Sequence, residues 1–222
     1  RDSGVDVQVI ADCRTGSIVV LVQPNGQRSF LTDRGVASHL AHFDSTLMND
    51  VSILHIPTYS LADEPLASTC IQYINVARSH EAIISLDASS SSVLKQYGAD
   101  RYRELIQLLQ PDVLLCNEDE AAVLGLGANK PMTGAVLTVI KQGPLPVIAV
   151  QHDGTTTEVA VMPVANIVDT TGAGDAFAAG FLPRYAQTKN IAEAITQGNA
   201  LASRVLQSPG ATLNTSQQQE QL

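Results

Sequence analysis

The sequence predicts an α/β fold with a mainly parallel central sheet between helices, and three observations carry that expectation. Apolar runs of strand length recur from residue 51 onward, at 51–56, 82–87, 112–116 and 146–151. Helix-length stretches separate them, the pattern of parallel strands joined by helical crossovers. Two motifs stand at strand-to-helix transitions, where open parallel sheets bind their ligands.

In chain order, the first third reads as extended. "VQVI" (7–10), "SIVVLVQ" (17–23) and "QRSFLTD" (27–33) are short β-rich runs. Pro24-Asn25-Gly26 between the last two is a turn signal, because Asn-Gly supplies the positive φ angles of a tight hairpin. A small β-ribbon is expected there. Beyond it, "ADRYRELIQLLQ" (99–110) sets Tyr102, Leu105, Ile106, Leu108 and Leu109 on or near one helical face. "EVAVMPV" (158–164) is a further strand, paired with 146–151 across a turn at Asp153-Gly154. Helices over 173–187 and 190–206 close the fold, and the tail "NTSQQQEQL" is polar and frayed. No internal repeat is visible.

With 222 residues, 45% of them hydrophobic and 16% charged, the chain can bury a substantial core. A net charge of −9 without a compensating basic cluster argues against a nucleic-acid partner. It leaves room for a local anion site, which needs only a few N–H groups. Cys13, Cys70 and Cys116 are too widely spaced for a zinc site or a disulfide framework. His39, His42, His55, His80 and His152 show no metal-ligand spacing and are assigned no chemistry. No apolar segment reaches membrane-spanning length and no signal peptide is visible, so the expected compartment is the cytoplasm.

"VDTTGAGDAFAAGFL" (168–182) places Gly172, Ala173 and Gly174 directly before Asp175. A Walker A loop would need a lysine and a hydroxyl residue after the last glycine. A Rossmann fingerprint would need a third glycine where Phe177 stands. What remains is a small-residue turn opening a helix. Its free N–H groups and dipole favour negative charge in front of it, as develops in phosphoryl transfer. Asp175 then stands where it would accept the proton of an attacking hydroxyl. The plainer alternative stays open: a first-turn acid offsetting the dipole, with glycines that permit close packing. "LLCNEDEAAVL" (114–124) likewise reads two ways, since Asn117 and Glu120 make a capping-box pattern whatever else they do.

"DTTGAGDAFAAG" strongly resembles the C-terminal signature of the ribokinase-like (PfkB) carbohydrate kinases. The resemblance implies a ribokinase-like three-layer fold with a partial β lid. Residues 1–36 would be a remnant of the lid and sheet edge, 37–215 the kinase core and 216–222 a tail. It implies an anion hole at Gly172, Ala173 and Gly174, with Asp175 as catalytic base. Asn117 and Glu120 match the family's Asn-x-x-Glu motif, which organises Mg2+ and the ATP phosphates largely through water. Gly210 and Ala211, in "SPGA", resemble the loop near the adenine pocket, and Asn199 falls on the helix that flanks the base. Asp169 and Thr171 match positions where several relatives bind K+, an optional feature. "LTDRGVASHL" (31–40) resembles the segment near the sugar, which makes Arg34 a candidate acceptor-site residue; an exposed turn arginine is the alternative.

Two departures accompany the match. Relatives carry a glycine-containing nucleotide turn after the strand matching "PVIAVQ"; this chain keeps Gly154 but has Gln151 where an earlier glycine often stands. The chain also opens on Arg1 and matches only the later part of a full-length relative, without the first strand, its substrate-binding aspartate or the Gly-Gly sugar motif. Three accounts fit: a complete kinase represented in part, a truncated product, or a homodimer whose second copy supplies the absent surface. The start at Arg1 favours the first.

The expected function is therefore ATP-dependent phosphorylation of a hydroxyl on a small sugar or sugar-like molecule. A nucleoside kinase acting on an adenosine-like acceptor is the alternative within the enzymes. A catalytically dead nucleotide-binding or scaffold protein is the alternative outside them.

Overall fold

The computed structural model describes residue 5, residues 14–22 and residues 28–211. The expected strand at 7–10, the turn at 24–26 and the tail at 216–222 lie outside the described residues. Strands β1 (Ser17–Val22) and β2 (Arg28–Asp33) pair antiparallel as a separate two-stranded sheet, Ser17 opposite Asp33. Ile18, Val19, Val20, Leu21 and Leu31 on this ribbon are exposed.

The core is a six-stranded sheet in sequential order: β3 (Ile53–Pro57), β4 (Ile83–Asp87), β5 (Val113–Asn117), β6 (Leu137–Gln142), β7 (Leu145–Gln151) and β8 (Thr156–Val159). The first four strands are parallel; β7 and β8 return antiparallel. α1 (Leu66–Ser79) links β3 to β4, and α2 (Ser91–Tyr97) and α3 (Ala99–Leu109) link β4 to β5. α4 (Glu118–Leu124) follows β5, and α5 (Ala173–Thr188) and α6 (Ile191–Leu206) end the fold.

Strand alternation builds three layers. In β5, Leu114 and Cys116 join the core formed with Ile74, Leu94, Tyr102 and Ile106, on the side of α1 to α4. Val113 and Leu115 join Phe177, Phe181 and Ile195, on the side of α5 and α6. Val113, Leu114, Leu115 and Cys116 are fully buried, as expected of a parallel strand covered on both faces, and Asn117 at its end is exposed. In α3 the buried stripe is Tyr102, Ile106 and Leu109; Leu108, expected near that face, points to water at 74% exposure. β8 ends at Val159 and not at 164, so "AVMPV" leaves the sheet once pairing with β7 is exhausted. Among the described residues no helix is long and apolar enough to cross a membrane.

Candidate active site

Parallel register collects polar side chains at one edge of the sheet. Asp87 ends β4, Asn117 ends β5, and Lys141, directly opposite Asn117, lies near the end of β6. His55 sits two pairs before Asp87, opposite Ser85. Its Nδ1 is 3.0 Å from the buried Ser85 hydroxyl, and burial pushes its pKa below the ordinary histidine range.

Asp87 is held from several sides. Its Oδ1 accepts from the Ser89 N–H at 2.7 Å, and its backbone carbonyl accepts from the hydroxyls of Thr58 (2.7 Å) and Ser89 (2.9 Å). Its Oδ2 accepts from Lys141 Nζ at 3.1 Å, in an ion pair whose side chains are only 15% and 16% exposed. Beside it, Asn117 and Glu120 form a complete capping box. Asn117 Oδ1 accepts from the Glu120 N–H at 2.9 Å, and the Glu120 carboxylate accepts from the Asn117 backbone N–H at 2.8 Å and from Nδ2 at 2.9 Å. Burial pushes the Glu120 carboxyl above the usual range, and the Asn117 N–H partly offsets the push.

The N-terminus of α5 faces this edge. Gly172 occupies its cap position at φ 76°, a left-handed geometry that favours glycine, and no side chain caps the helix. The Ala173 N–H reaches the Thr170 carbonyl (3.3 Å) and the Ala176 N–H reaches that of Gly172 (2.8 Å). The N–H groups of Gly174 and Asp175 lie in the first turn, where the helix itself offers no acceptor. Asp175 is exposed on that turn. A Cβ added at Gly174 would lie 3.4 Å from Lys141 Nζ, so the ammonium borders the turn directly.

Asp169 ties the approach to this turn to the last described loop. Its Oδ1 accepts from the Thr171 N–H (2.8 Å) and its Oδ2 from the Gly210 N–H (3.1 Å). A Cβ at Gly172 would lie 2.5 Å from that of Ala211, so Gly210 and Ala211 pack onto the glycine turn. The structure thus brings Asn117, Glu120, Asp169, Thr171, Gly172, Ala173, Gly174, Asp175, Gly210 and Ala211 to one end of the fold.

Three expected residues stand differently. Gly154 lies in the β7–β8 turn, and because Gln151 pairs with Leu137 at the start of β6, that turn is at the opposite edge of the sheet. The glycine turn on the site's side is at Gly143, between β6 and β7. Arg34 helps line a cleft of about 170 Å³ with Gln96, Tyr97 and Arg101, and it donates to the Tyr59 carbonyl at 3.1 Å. Asn199, on α6, has its Nδ2 buried without a hydrogen-bond partner among the described residues. A buried donor left unmade costs about 1–3 kcal/mol, which a bound acceptor or an ordered water would offset.

Asp87, Lys141, His55 and Tyr59 are the site residues that sequence reasoning passed over. The Tyr59 hydroxyl is pushed above its ordinary pKa by burial, with Asp175 and then Asp87 adding to the push. The available signal was positional: Asp87 closes the run "AIISLD", and "LTVIKQG" is itself a strand ending in a lysine and a glycine.

Residues 1–218 match the description "pfkB family carbohydrate kinase". The chain is 26% identical over 235 residues to an adenosine kinase of Dictyostelium discoideum, covering 95% of this chain and 67% of that one. An adenosine kinase structure from Sinorhizobium meliloti superposes with a TM-score of 0.79 at 24% identity, covering 93% of this chain and 66% of that one. A fructokinase structure with bound ATP from Xylella fastidiosa gives 0.74 at 22% identity, covering 91% and 70%. The chain spans roughly two thirds of the length of these relatives, and the three-layer architecture is the one they share. With the glycine turn, the capping box and the strand-edge cluster in one place, the chain belongs to the pfkB family of carbohydrate kinases.

Proposed function

We propose that this chain forms the phosphoryl-transfer core of an ATP-dependent kinase acting on a hydroxyl of a small sugar or sugar-like molecule. The observation that carries the reading is Asp175 in the first turn of a helix that opens on the small-residue turn Gly172-Ala173-Gly174 and faces the carboxyl edge of a parallel sheet. The fructokinase relative named with bound ATP supports the choice of nucleotide.

In this reading the terminal phosphate of ATP lies before the first-turn N–H groups of Gly174 and Asp175, which stabilise its developing charge. The acceptor oxygen bonds to the γ-phosphorus while the bond from that phosphorus to the ADP oxygen breaks. The hydroxyl proton passes to Asp175, and ADP leaves. A loose transition state needs only a weak base, so an ionised carboxylate suffices. Asn117 and Glu120 would hold Mg2+ through water, and that ion would supply charge neutralisation on the phosphates. Both Glu120 oxygens already accept from Asn117, a donor set suited to an indirect hold. Asn199, Gly210 and Ala211 would border the nucleoside, the orphaned Asn199 amide finding its acceptor there. Asp169 and Thr171 would serve a K+ site where one is used.

The relatives named adenosine kinase favour a second reading, a nucleoside acceptor, and an acceptor panel separates the two. Asp175→Asn should lower turnover by orders of magnitude with nearly unchanged Mg·ATP affinity. Mg·ATP at 100 times its dissociation constant should add about 2.7 kcal/mol to the wild-type unfolding free energy. Unchanged turnover in the variant would sink the role of Asp175. Phosphorylation of no acceptor by the wild type would favour a nucleotide-binding protein without catalysis.

A further inference from the structure

We propose that Lys141 is a phosphate-contacting residue of this site, its ammonium leaving Asp87 for the terminal phosphate of a bound nucleoside triphosphate, and that Asp87 is the positioning residue that keeps it poised. The inference rests on the kinase reading above and names a residue which that reading does not use.

A cation stands where a helix end disfavours one. Helix N-termini carry partial positive charge and are stabilised by anions, whereas cations belong at C-termini. Lys141 Nζ nevertheless lies against the first turn of α5, 3.4 Å from where a Gly174 side chain would begin and 6.0 Å from the Phe177 ring. Two positive ends meet at one point, and an anion placed between them relieves the repulsion. Asp87 from one side and Asp175 in the first turn of α5 offset it in part. Among the described residues the Lys141 ammonium has Asp87 as its one hydrogen-bond acceptor, leaving two of its three donors for a ligand.

A purely structural pair explains the arrangement less well. Largely buried ion pairs such as this one add little net stability, because desolvation consumes most of the attraction. Nor would such a pair need to stand at the ligand-binding edge of the sheet. A side chain at position 174 would begin in contact with the ammonium and occupy part of the space where a phosphate meets both groups. Asp87, fixed by Ser89 and Thr58, stays behind as the anchor to which the ammonium returns when the phosphate departs.

The test is calorimetric binding of Mg·ATP and Mg·ADP to the wild type, Lys141→Met, Lys141→Arg and Asp87→Asn, with the double variant Lys141→Met/Asp87→Asn in case the single methionine strands a buried charge. A charge-assisted contact predicts that Lys141→Met weakens Mg·ATP about 10- to 100-fold and Mg·ADP less than about threefold. The double variant should show the same selectivity, and Lys141→Arg should recover part of the loss. Asp87→Asn should hold or tighten Mg·ATP, since the competitor for the ammonium has gone. Equal weakening of both nucleotides by Lys141→Met, or none, would overturn the proposal while leaving the kinase reading standing. A wild type that binds neither nucleotide would overturn both.

Discussion

Gly180 tests how tightly the helices behind the site must pack. It lies on α5 where α6 crosses. A methyl there would sit 2.6 Å from the Gln197 carbonyl oxygen and 3.0 Å from the Gly198 Cα. Aliphatic carbons meet carbonyl oxygens at about 3.3–3.6 Å, so Gly180→Ala must push the helices apart locally by roughly 0.7 Å or more. The obstacle is backbone, and no rotamer change removes it. Separation would also loosen Phe177 and Phe181, buried beneath the crossing with ring centroids 5.7 Å apart. Overpacking against fixed backbone takes the upper part of the usual range, about 2–3 kcal/mol, against a helix-propensity gain near 1 kcal/mol. The net expectation is a loss of about 1–2 kcal/mol, or a Tm lower by roughly 2–8 °C for a domain of this size. Urea unfolding of Gly180→Ala beside Gly127→Ala makes the comparison. Gly127 has nothing within 4 Å of an added Cβ, and its substitution should be neutral or slightly stabilising. A Gly180→Ala protein as stable as the Gly127→Ala control would refute the close-crossing argument.

Two further predictions concern the sheet edge. His55 is half-buried, and that burial holds its pKa below the ordinary value of about 6.5, so the unfolded chain binds the proton more readily. Stability should therefore fall as pH drops from about 6.5 toward the folded-state value, and His55→Gln should flatten that part of the urea-midpoint profile; an unaltered slope would reject it. Asn117→Ala removes the cap of α4 and one donor to the buried Glu120 carboxylate. A loss of about 2–3 kcal/mol is expected from the sum of those terms, read as a shift in urea midpoint at constant m-value.

Much of the fold was legible locally. The runs at 51–56, 82–87, 112–116 and 146–151 became strands at 53–57, 83–87, 113–117 and 145–151, because a strand buried on both faces must be apolar throughout. Asn117 and Glu120 announced a helix start through spacing alone, and their hydrogen bonds are those of the capping box. The strand β6 went unread. "LTVIKQ" is joined to β7 by a turn of only Gly143 and Pro144, so no longer turn segment divides the two runs. The expected pairing across Asp153-Gly154 is the β7–β8 hairpin, and its turn lies at the far edge, which is why Gly154, placed near nucleotide by the family resemblance, stands away from the site.

By itself, the sequence determined the class of fold, the glycine turn before Asp175 and the capped strand end at Asn117, since each depends on residues a few positions apart. Only the tertiary structure decided that Lys141 meets Asp87, 54 residues earlier in the chain, and that both lie before the α5 N-terminus. The physical reason is register. Neighbouring parallel strands align their carboxyl ends through hydrogen bonds between segments far apart in sequence. Which polar residues share that edge follows from the alignment, and no local pattern of residue types encodes it.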